Sequence, residues 1–322
     1  MIKTLTLANK TFPVNIIQGP LAGVSCAPFR LLTWQYSQPA FSCTEMISCK
    51  TILHQPVLAT RFMHKDKNEG PVCFQLSGND PQALAEAVKI VTAAGADLID
   101  LNCGCPVKKI RSKGAGSKLL TNTSTLYLLI KAMKANTHVP VSIKIRVDGN
   151  SKEKFNQEVA KVVQDAGADF LVVHGRHWTE DYQTPCHLSD IQFFVEALTI
   201  PVIGNGDVTS AHSLKKILAT GCQGAMISRA SVGRPWLIGK LIAELKQENF
   251  SLPSISEIGT IFITHLEHLT SLLGNEQAAI LQARKFAKYY ARDLTTRMAF
   301  RTAINSCESL KALRKITEEY FS

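Results

Sequence analysis

The sequence predicts an α/β protein: a (β/α)8 TIM barrel followed by a small C-terminal helical domain. Short runs rich in β-branched residues alternate with amphipathic helical stretches almost to residue 250, and eight such runs can be counted. Beyond Phe250 the polar break Ser251 to Ser256, with Pro253, leads into sequence that is helical in period throughout. Eight βα units imply a closed barrel, whereas one miscounted strand would leave a doubly wound open sheet. The 322 residues suffice for a barrel of roughly 250 residues and a further segment. A barrel domain is therefore expected over 1–250 and a helical domain over 251–322.

Taken in order, most of the strand candidates end in residues suited to chemistry, and in a parallel barrel those ends converge on one pocket. Val14 to Gln18 runs into Gly19-Pro20-Leu21-Ala22-Gly23, small residues that let a flat ligand approach the backbone. Ala40 to Thr44 is the second run. Val72 to Leu76 carries Gln75, whose amide both donates and accepts. Leu98 to Leu101 is too short and apolar for a surface helix, so it reads as a buried strand ending where Asn102, Cys103, Gly104, Cys105 and Pro106 turn the chain. Val141 to Ile145 carries Lys144, with Arg146 on the same side by strand alternation. Phe170 to His174 continues into Gly175-Arg176, and Val202 to Gly204 into Asn205-Gly206-Asp207. The last run, Ala225 to Ile227, leads to Ser228-Arg229 and then Gly233-Arg234-Pro235. Between them, Asp80-Pro81 and Thr209 or Ser210 offer helix starts. Gly95-Ala96-Asp97, Gly167-Ala168-Asp169 and Gly221-Cys222-Gln223-Gly224 form three similar helix-to-strand joints.

Composition narrows the partners. Lysine and arginine total 36 against 26 acidic residues, a net charge of +10 that favours a polyanion such as nucleic acid. Nine cysteines, an odd number in mostly apolar surroundings, fit reduced thiols in a cytoplasmic protein better than a disulfide framework. No run is long enough to span a membrane, and nothing implies a protein partner. The basic, glycine-containing run from Lys108 and Lys109 through Arg111 and Lys113 to Lys118 follows the two thiols and suggests an anionic substrate. Glycine-rich backbone after the last two strands, with Arg229, is suited to a phosphate, hence to a phosphorylated cofactor. Lys144 near that pocket can serve the electron-rich edge of a flavin, so the phosphate site and polar ring-binding set point to FMN more than to NAD. The lack of a G-x-G-x-x-G after the first strand argues against a Rossmann dinucleotide site. A zinc site is not expected, because Cys103 and Cys105 are one residue apart and no second ligand pair accompanies them. In the helical tail Arg284, Lys288 and Arg292 fall four apart and predict one basic helix face, either solvated or tracking phosphates.

These residues resemble the tRNA-dihydrouridine synthases over nearly the whole chain. The likeness rests on Asn102-Cys103-Gly104-Cys105-Pro106 with its basic run, on Lys144-Ile145-Arg146, on His174-Gly175-Arg176 and on Asn205-Gly206-Asp207. Ala283-Arg284-Lys285, Tyr289-Tyr290 and Gly233-Arg234-Pro235-Trp236 are similar to the bacterial B-type branch, for which uridine 17 of the D-loop is the favoured site. The resemblance implies that FMN, reloaded by NADPH or NADH, delivers hydride to the uracil ring while Cys105 donates the proton. It implies flavin contacts at Pro20, Leu21, Ala22, Gln75, Lys144 and His174, and a phosphate held by Asn205, Gly206, Asp207, Ser228 and Arg229. The target uracil would meet Asn102, Arg146 and Tyr182, and the tRNA would meet Lys108, Lys109, Arg284, Lys288 and Arg292. The chain departs from the family pattern at Leu21, Cys26, His177 and Ser228, where methionine, aspartate, threonine and glycine are usual.

Overall fold

A computed structural model describes residues 1–147 and 153–322. The chain opens with an antiparallel hairpin, β1 (Leu5–Leu7) and β2 (Lys10–Phe12), which the sequence reading did not include. Its signal is a period-two alternation: Leu5, Leu7 and Phe12 are buried while Thr6 and Thr11 face water. Phe12 packs against Phe41 at 5.5 Å and Phe41 against Phe170 at 6.3 Å, so the hairpin covers the N-terminal end of the barrel.

The barrel follows as β3 (Ile16–Gln18), α1 (Ala27–Ser37), β4 (Ser42–Cys43), β5 (Ile47–Ser48), α2 (Cys49–His54) and α3 (Pro56–Met63). It continues through β6 (Val72–Ser77), α4 (Pro81–Ala93), β7 (Leu98–Cys103), α5 (Lys108–Arg111), α6 (Thr123–Ala135) and β8 (Val141–Arg146). The remaining elements are α7 (Glu153–Asp165), β9 (Phe170–His174), α8 (Leu188–Ala197), β10 (Val202–Asn205), α9 (Ala211–Leu218), β11 (Gly224–Ile227) and α10 (Leu237–Lys246). Parallel pairing runs β3, β4, β6, β7, β8, β9, β10, β11 and returns to β3, so the ring closes on eight strands and the open-sheet alternative is set aside.

Most strand ends move by one or two residues, and two strands differ from expectation in ways that shape the site. The second is split, because Thr44, Glu45 and Met46 interrupt it between β4 and β5. The break leaves no loose ends there: the Thr44 N–H donates to Cys73 O, and its hydroxyl accepts from Gln75 N and donates to Glu45 O. The fourth runs on through Asn102 and Cys103, which pair with Lys144 and Ile145 of β8, so the chain turns only at Gly104.

The repeated joints have a physical basis. Asp97 and Asp169 each accept from the first N–H of the preceding barrel strand, Val72 at 2.8 Å and Val141 at 2.7 Å. Each also pairs with a lysine at 2.6 Å, Lys65 and Lys134 respectively. Gly95 and Gly167, at φ +88° and +82°, supply the left-handed turn that brings each aspartate to that place.

Beyond the stretch 247–254 lie α11 (Ile255–Leu273), opened by a Ser254/Glu257 capping box, and α12 (Glu276–Tyr290), α13 (Arg297–Asn305) and α14 (Leu310–Tyr320). Their core, with Phe262, Phe286, Tyr290 and Phe300, is not closed by these helices alone. Phe29 and Leu32 of α1 enter it, as do Val232 and Trp236. Helix α1 of the barrel thus packs its apolar face into the core of the tail. Inside this second core His265 meets the Tyr290 hydroxyl at 3.1 Å, and burial, reinforced by His268, depresses its pKa to about 3, so it is neutral at physiological pH.

Under α1 sits a wholly buried ion pair. Arg30 Nε donates to Glu69 at 2.7 Å and Nη2 to the other carboxylate oxygen at 3.0 Å. The same guanidinium holds Ser25 O at 3.0 Å and His64 O at 2.6 Å, so its charge is matched and four of its five N–H donors are used.

Candidate active site at the C-terminal mouth of the barrel

A cavity of about 310 Å³ opens where the C-terminal strand ends converge. Pro20 and Leu21 after β3, Lys144 on β8 and His174 at the end of β9 form one part of its wall. Asn205, Gly206 and Asp207 after β10, and Ser228 and Arg229 after β11, form another, with Tyr182 across the opening. Of the residues expected to hold a cofactor, Ala22 and Gln75 lie outside this lining. Ala22 faces a second cavity, and Gln75 lies beneath, engaged with other strands.

The interior layer below the mouth is a hydrogen-bonded series. Register aligns Gln75 with Asp100 and Asp100 with Ser142 on adjacent strands, so all three point inward together. Ser142 Oγ donates to Asp100 Oδ1 at 2.6 Å and Gln75 Nε2 to Asp100 Oδ2 at 2.8 Å. Asn102 Nδ2 donates to Gln75 Oε1 at 2.8 Å, which leaves Asn102 Oδ1 to accept from Cys105 N at 3.0 Å and Gly104 N at 3.3 Å. Burial raises the Asp100 pKa to about 7, against the Ser142 and Gln75 hydrogen bonds and the charge of Lys144. Burial likewise lowers Lys144 to about 8, with Asp100 opposing. Lys144 donates to Asn205 Oδ1 at 2.9 Å, and Asn205 Nδ2 to Met226 O at 2.8 Å, which fixes that amide.

The two thiols are sorted by the strand's pleat. Cys103, next to the inward Asn102, is wholly buried on the opposite face, and its pKa is pushed well above the usual thiol range by burial and by Asp100. Cys105 is only partly buried, in the turn beside Arg146. A side chain at Gly104 would meet the Ile145 backbone at 3.4 Å and Arg146 Cγ at 3.5 Å, so the turn lies against the end of β8. Arg146 in turn donates to His177 O at 2.8 Å. From the other side Ser117 donates to Cys105 O through both N–H and hydroxyl. Arg111 donates to that hydroxyl at 2.7 Å while its guanidinium lies 3.4 Å over the Trp178 ring.

At the opposite end Arg176, 1 % exposed, organises the loop after β10. Its Nη2 donates to both oxygens of Asp207, at 2.6 and 2.5 Å, and its Nε to Thr184 O. Its Nη1 lies 3.2 Å from His174 Nε2 and must donate there, so Nδ1 carries the histidine proton. His174 is held neutral, its pKa far below the usual range through burial and the surrounding Lys144, Arg146, Arg176 and Arg229. The Asp207 carboxylate is thus paired with Arg176, and its negative charge suits that arginine and not an incoming anion. Only its backbone, at φ +49°, remains to receive one. Arg229 lies 3.5 Å from the Tyr182 ring centre and 3.6 Å from Asp207. The Ser228 hydroxyl packs where a side chain at Gly19 would be, 2.4 Å from that Cβ position.

Lys108 and Lys109 are exposed on the single-turn α5 at the rim. In the tail the expected basic face is redistributed. Helix α12 ends at Tyr290, so Arg292 lies beyond it and donates to Tyr289 O and Val232 O, with burial lowering its pKa to about 10. Arg284 donates to Cys307 O at 2.6 Å. Lys288 is exposed, and together with Lys285 and Arg301 it rims the second cavity, about 390 Å³, beside Ala22 and Gly23. Sequence reasoning missed Asp100, hidden in a run that reads as apolar, whereas Lys285 and Arg301 were legible as basic residues near the expected face. It also missed Thr209 and Met226 in the cavity wall, for which no spacing gives a signal.

Comparison with known proteins gives a consistent picture. The family model for dihydrouridine synthase (Dus) matches residues 17–321. The chain is 34 % identical over 322 residues to the probable tRNA-dihydrouridine synthase 1 of Synechocystis sp., across 99 % of this chain and 90 % of that protein. It is 34 % identical over 313 residues to tRNA-dihydrouridine synthase B of Xanthomonas axonopodis, across 95 % and 92 %. With tRNA-dihydrouridine synthase B of Vibrio cholerae it shares 32 % identity over 320 residues, across 98 % of each chain.

Proposed function

The chain belongs to the dihydrouridine synthase family, and from that membership we propose that it reduces a D-loop uridine of tRNA to 5,6-dihydrouridine, with bound FMN and with NADPH or NADH as reductant. The similarity to B-named relatives favours uridine 17. The observation that carries the reading is the juxtaposition at one mouth of a Lys144–His174 cavity, an anion-suited end at Arg229, and a half-exposed thiol on Cys105.

The residues fit FMN. Pro20, Leu21 and Met226 offer an apolar wall for a flat ring, and Lys144 and the Nδ1–H of His174 offer donors for its polar edge. Ser228, Thr209 and Arg229 bring hydroxyls and a positive charge to the end where a phosphate would sit. Bound there, FMN would supply hydride chemistry towards C6 of the uracil ring. Cys105 gives the proton to C5, its loop held by Asn102 and Ser117. Arg146 beside it and Lys144 in the cavity wall balance negative charge developing on the uracil carbonyl. Because a base stacked in folded tRNA cannot reach this depth, the nucleotide is flipped outward, and the Tyr182 ring lies at the mouth to receive it.

The deciding experiment maps dihydrouridine in tRNA from a strain lacking the gene and from the same strain complemented. The signal at uridine 17 is expected to vanish and return, and the purified protein to be yellow and to release FMN on denaturation. Unchanged tRNA together with a colourless protein that takes up no FMN overturns the reading.

The tRNA path is tested separately. Lys285, Lys288 and Arg301 are exposed around one cavity, so replacing all three with glutamine is expected to leave the fold and FMN content intact. The dependence of log affinity on log salt should become shallower by about 2, as fewer counterions are released. An unchanged slope in filter-binding titrations would place the tRNA elsewhere.

A further inference from the structure

We propose that Asp100 is a positioning residue for the proton donor, acting through Gln75 and Asn102 on the loop that carries Cys105; this rests on the reading of Cys105 as the acid. The geometry is a chain of three oriented groups. Asp100 is 3 % exposed and sits between Ser142 and Gln75, two residues before Asn102 on β7. A side-chain amide can be turned either way, presenting oxygen or nitrogen at a given place. Asp100 Oδ2 removes that choice. It accepts from Gln75, so Gln75 must turn Nε2 downward and Oε1 upward. The upward Oε1 takes Asn102 Nδ2, and Asn102 is then left with Oδ1 towards the N–H groups of Gly104 and Cys105.

The relay tolerates either protonation state of the acid. When Asp100 is ionised, the Ser142 hydroxyl donates to Oδ1. When it is protonated there, that hydroxyl turns to accept, and Oδ2 still faces Gln75 as an acceptor. An asparagine at 100 can reproduce the neutral arrangement, with its nitrogen towards Ser142 and its oxygen towards Gln75. A leucine of similar size cannot. Without an acceptor below, Gln75 has no preferred orientation, and Asn102 loses its reason to present oxygen to the Cys105 turn. Ser117 and Arg111 still hold the turn from the other side, so the expected result is a misplaced thiol rather than an unfolded loop.

The test uses the FMN-loaded protein and compares Asp100→Leu, Asp100→Asn and Gln75→Met, the last severing the series one link higher. In Asp100→Leu, NADPH should reduce the flavin at close to the parent rate, while oxidation by tRNA slows about 10- to 100-fold, the scale set by a displacement of roughly 1 Å at a reacting group. Asp100→Asn should recover most of that loss. A second readout needs no turnover: the rate at which iodoacetamide alkylates Cys105, followed by mass spectrometry, should rise several-fold in Asp100→Leu and Gln75→Met and stay near the parent value in Asp100→Asn. A purely structural role would affect both half-reactions alike and would not be rescued by the amide. Parent rates of tRNA-driven oxidation and of alkylation in Asp100→Leu and Gln75→Met overturn the proposal. Cys105→Ala run alongside separates the failures: if it too oxidises with tRNA at the parent rate, the assignment of the acid is wrong, whereas a slow Cys105→Ala with a normal Asp100→Leu rejects the relay alone. Should Asp100→Leu not fold, Gln75→Met and Asp100→Asn carry the same comparison.

Discussion

Replacing Cys105 with alanine is expected to leave reduction of the bound flavin by NADPH nearly unchanged and to slow its oxidation by tRNA by ~10²- to 10⁴-fold, the usual contribution of a positioned acid. The first half-reaction needs no proton at the uracil, and Cys105 is not part of the cavity wall in which the flavin is proposed to lie. The second needs a proton at C5, and Cys105 is the partly exposed thiol of the turn, next to Arg146. Cys103→Ala should do far less to either step. Its side chain is buried on the far face of β7, where alanine removes packing and no proton donor at the mouth. Stopped-flow absorbance of the two half-reactions in both variants decides between the thiols. A normal Cys105→Ala beside a slow Cys103→Ala would transfer the acid's role to the strand residue.

The largest effect on stability is expected at Arg30 and Glu69. Removing one partner of a buried ion pair strands the other charge without solvent, at a cost of about 3–5 kcal/mol. Arg30→Met or Glu69→Leu alone should lower the urea midpoint by a corresponding amount. The double replacement should cost much less than the sum, because no buried charge is left over. The consequence reaches the active site: Arg30 holds Ser25 O, and the Ser25 hydroxyl accepts from Leu21 N, so the pair anchors the loop bordering the cavity. Additive losses in the double variant would show that the pair is not the unit of stability here.

Much of this architecture could be read from residue pattern alone, because barrel strands buried on both faces announce themselves as short apolar runs between glycine-bearing joints. The joints at Asp97 and Asp169 look alike in sequence since each aspartate does the same work on the strand before it. What escaped has physical reasons. Asn102 is a residue of turns by habit, yet here it stays in the strand because its side chain points inward to Gln75. Asp100 is legible only once Ser142 and Gln75 are known to flank it, and that is a matter of register between strands far apart in sequence. Arg284 and Arg292 have the spacing of a solvated stripe, but both donate to backbone carbonyls of neighbouring segments, which periodicity cannot foresee. Arg176 was legible as part of a motif, although its partners Asp207 and Thr184 were not.

The packing of Ser228 against Gly19 bears on how such a chain can change over generations. The serine hydroxyl fills the space into which any side chain at 19 would grow, with Met226 closing the rest. A glycine at 19 accommodates both side chains, and each of them alone already lies too close for any other residue to replace it without movement. Reversion to the glycine usual at 228 would still leave Met226 2.7 Å from that position, so the order of substitutions is constrained on this wall of the cavity even where no single residue touches the reacting atoms.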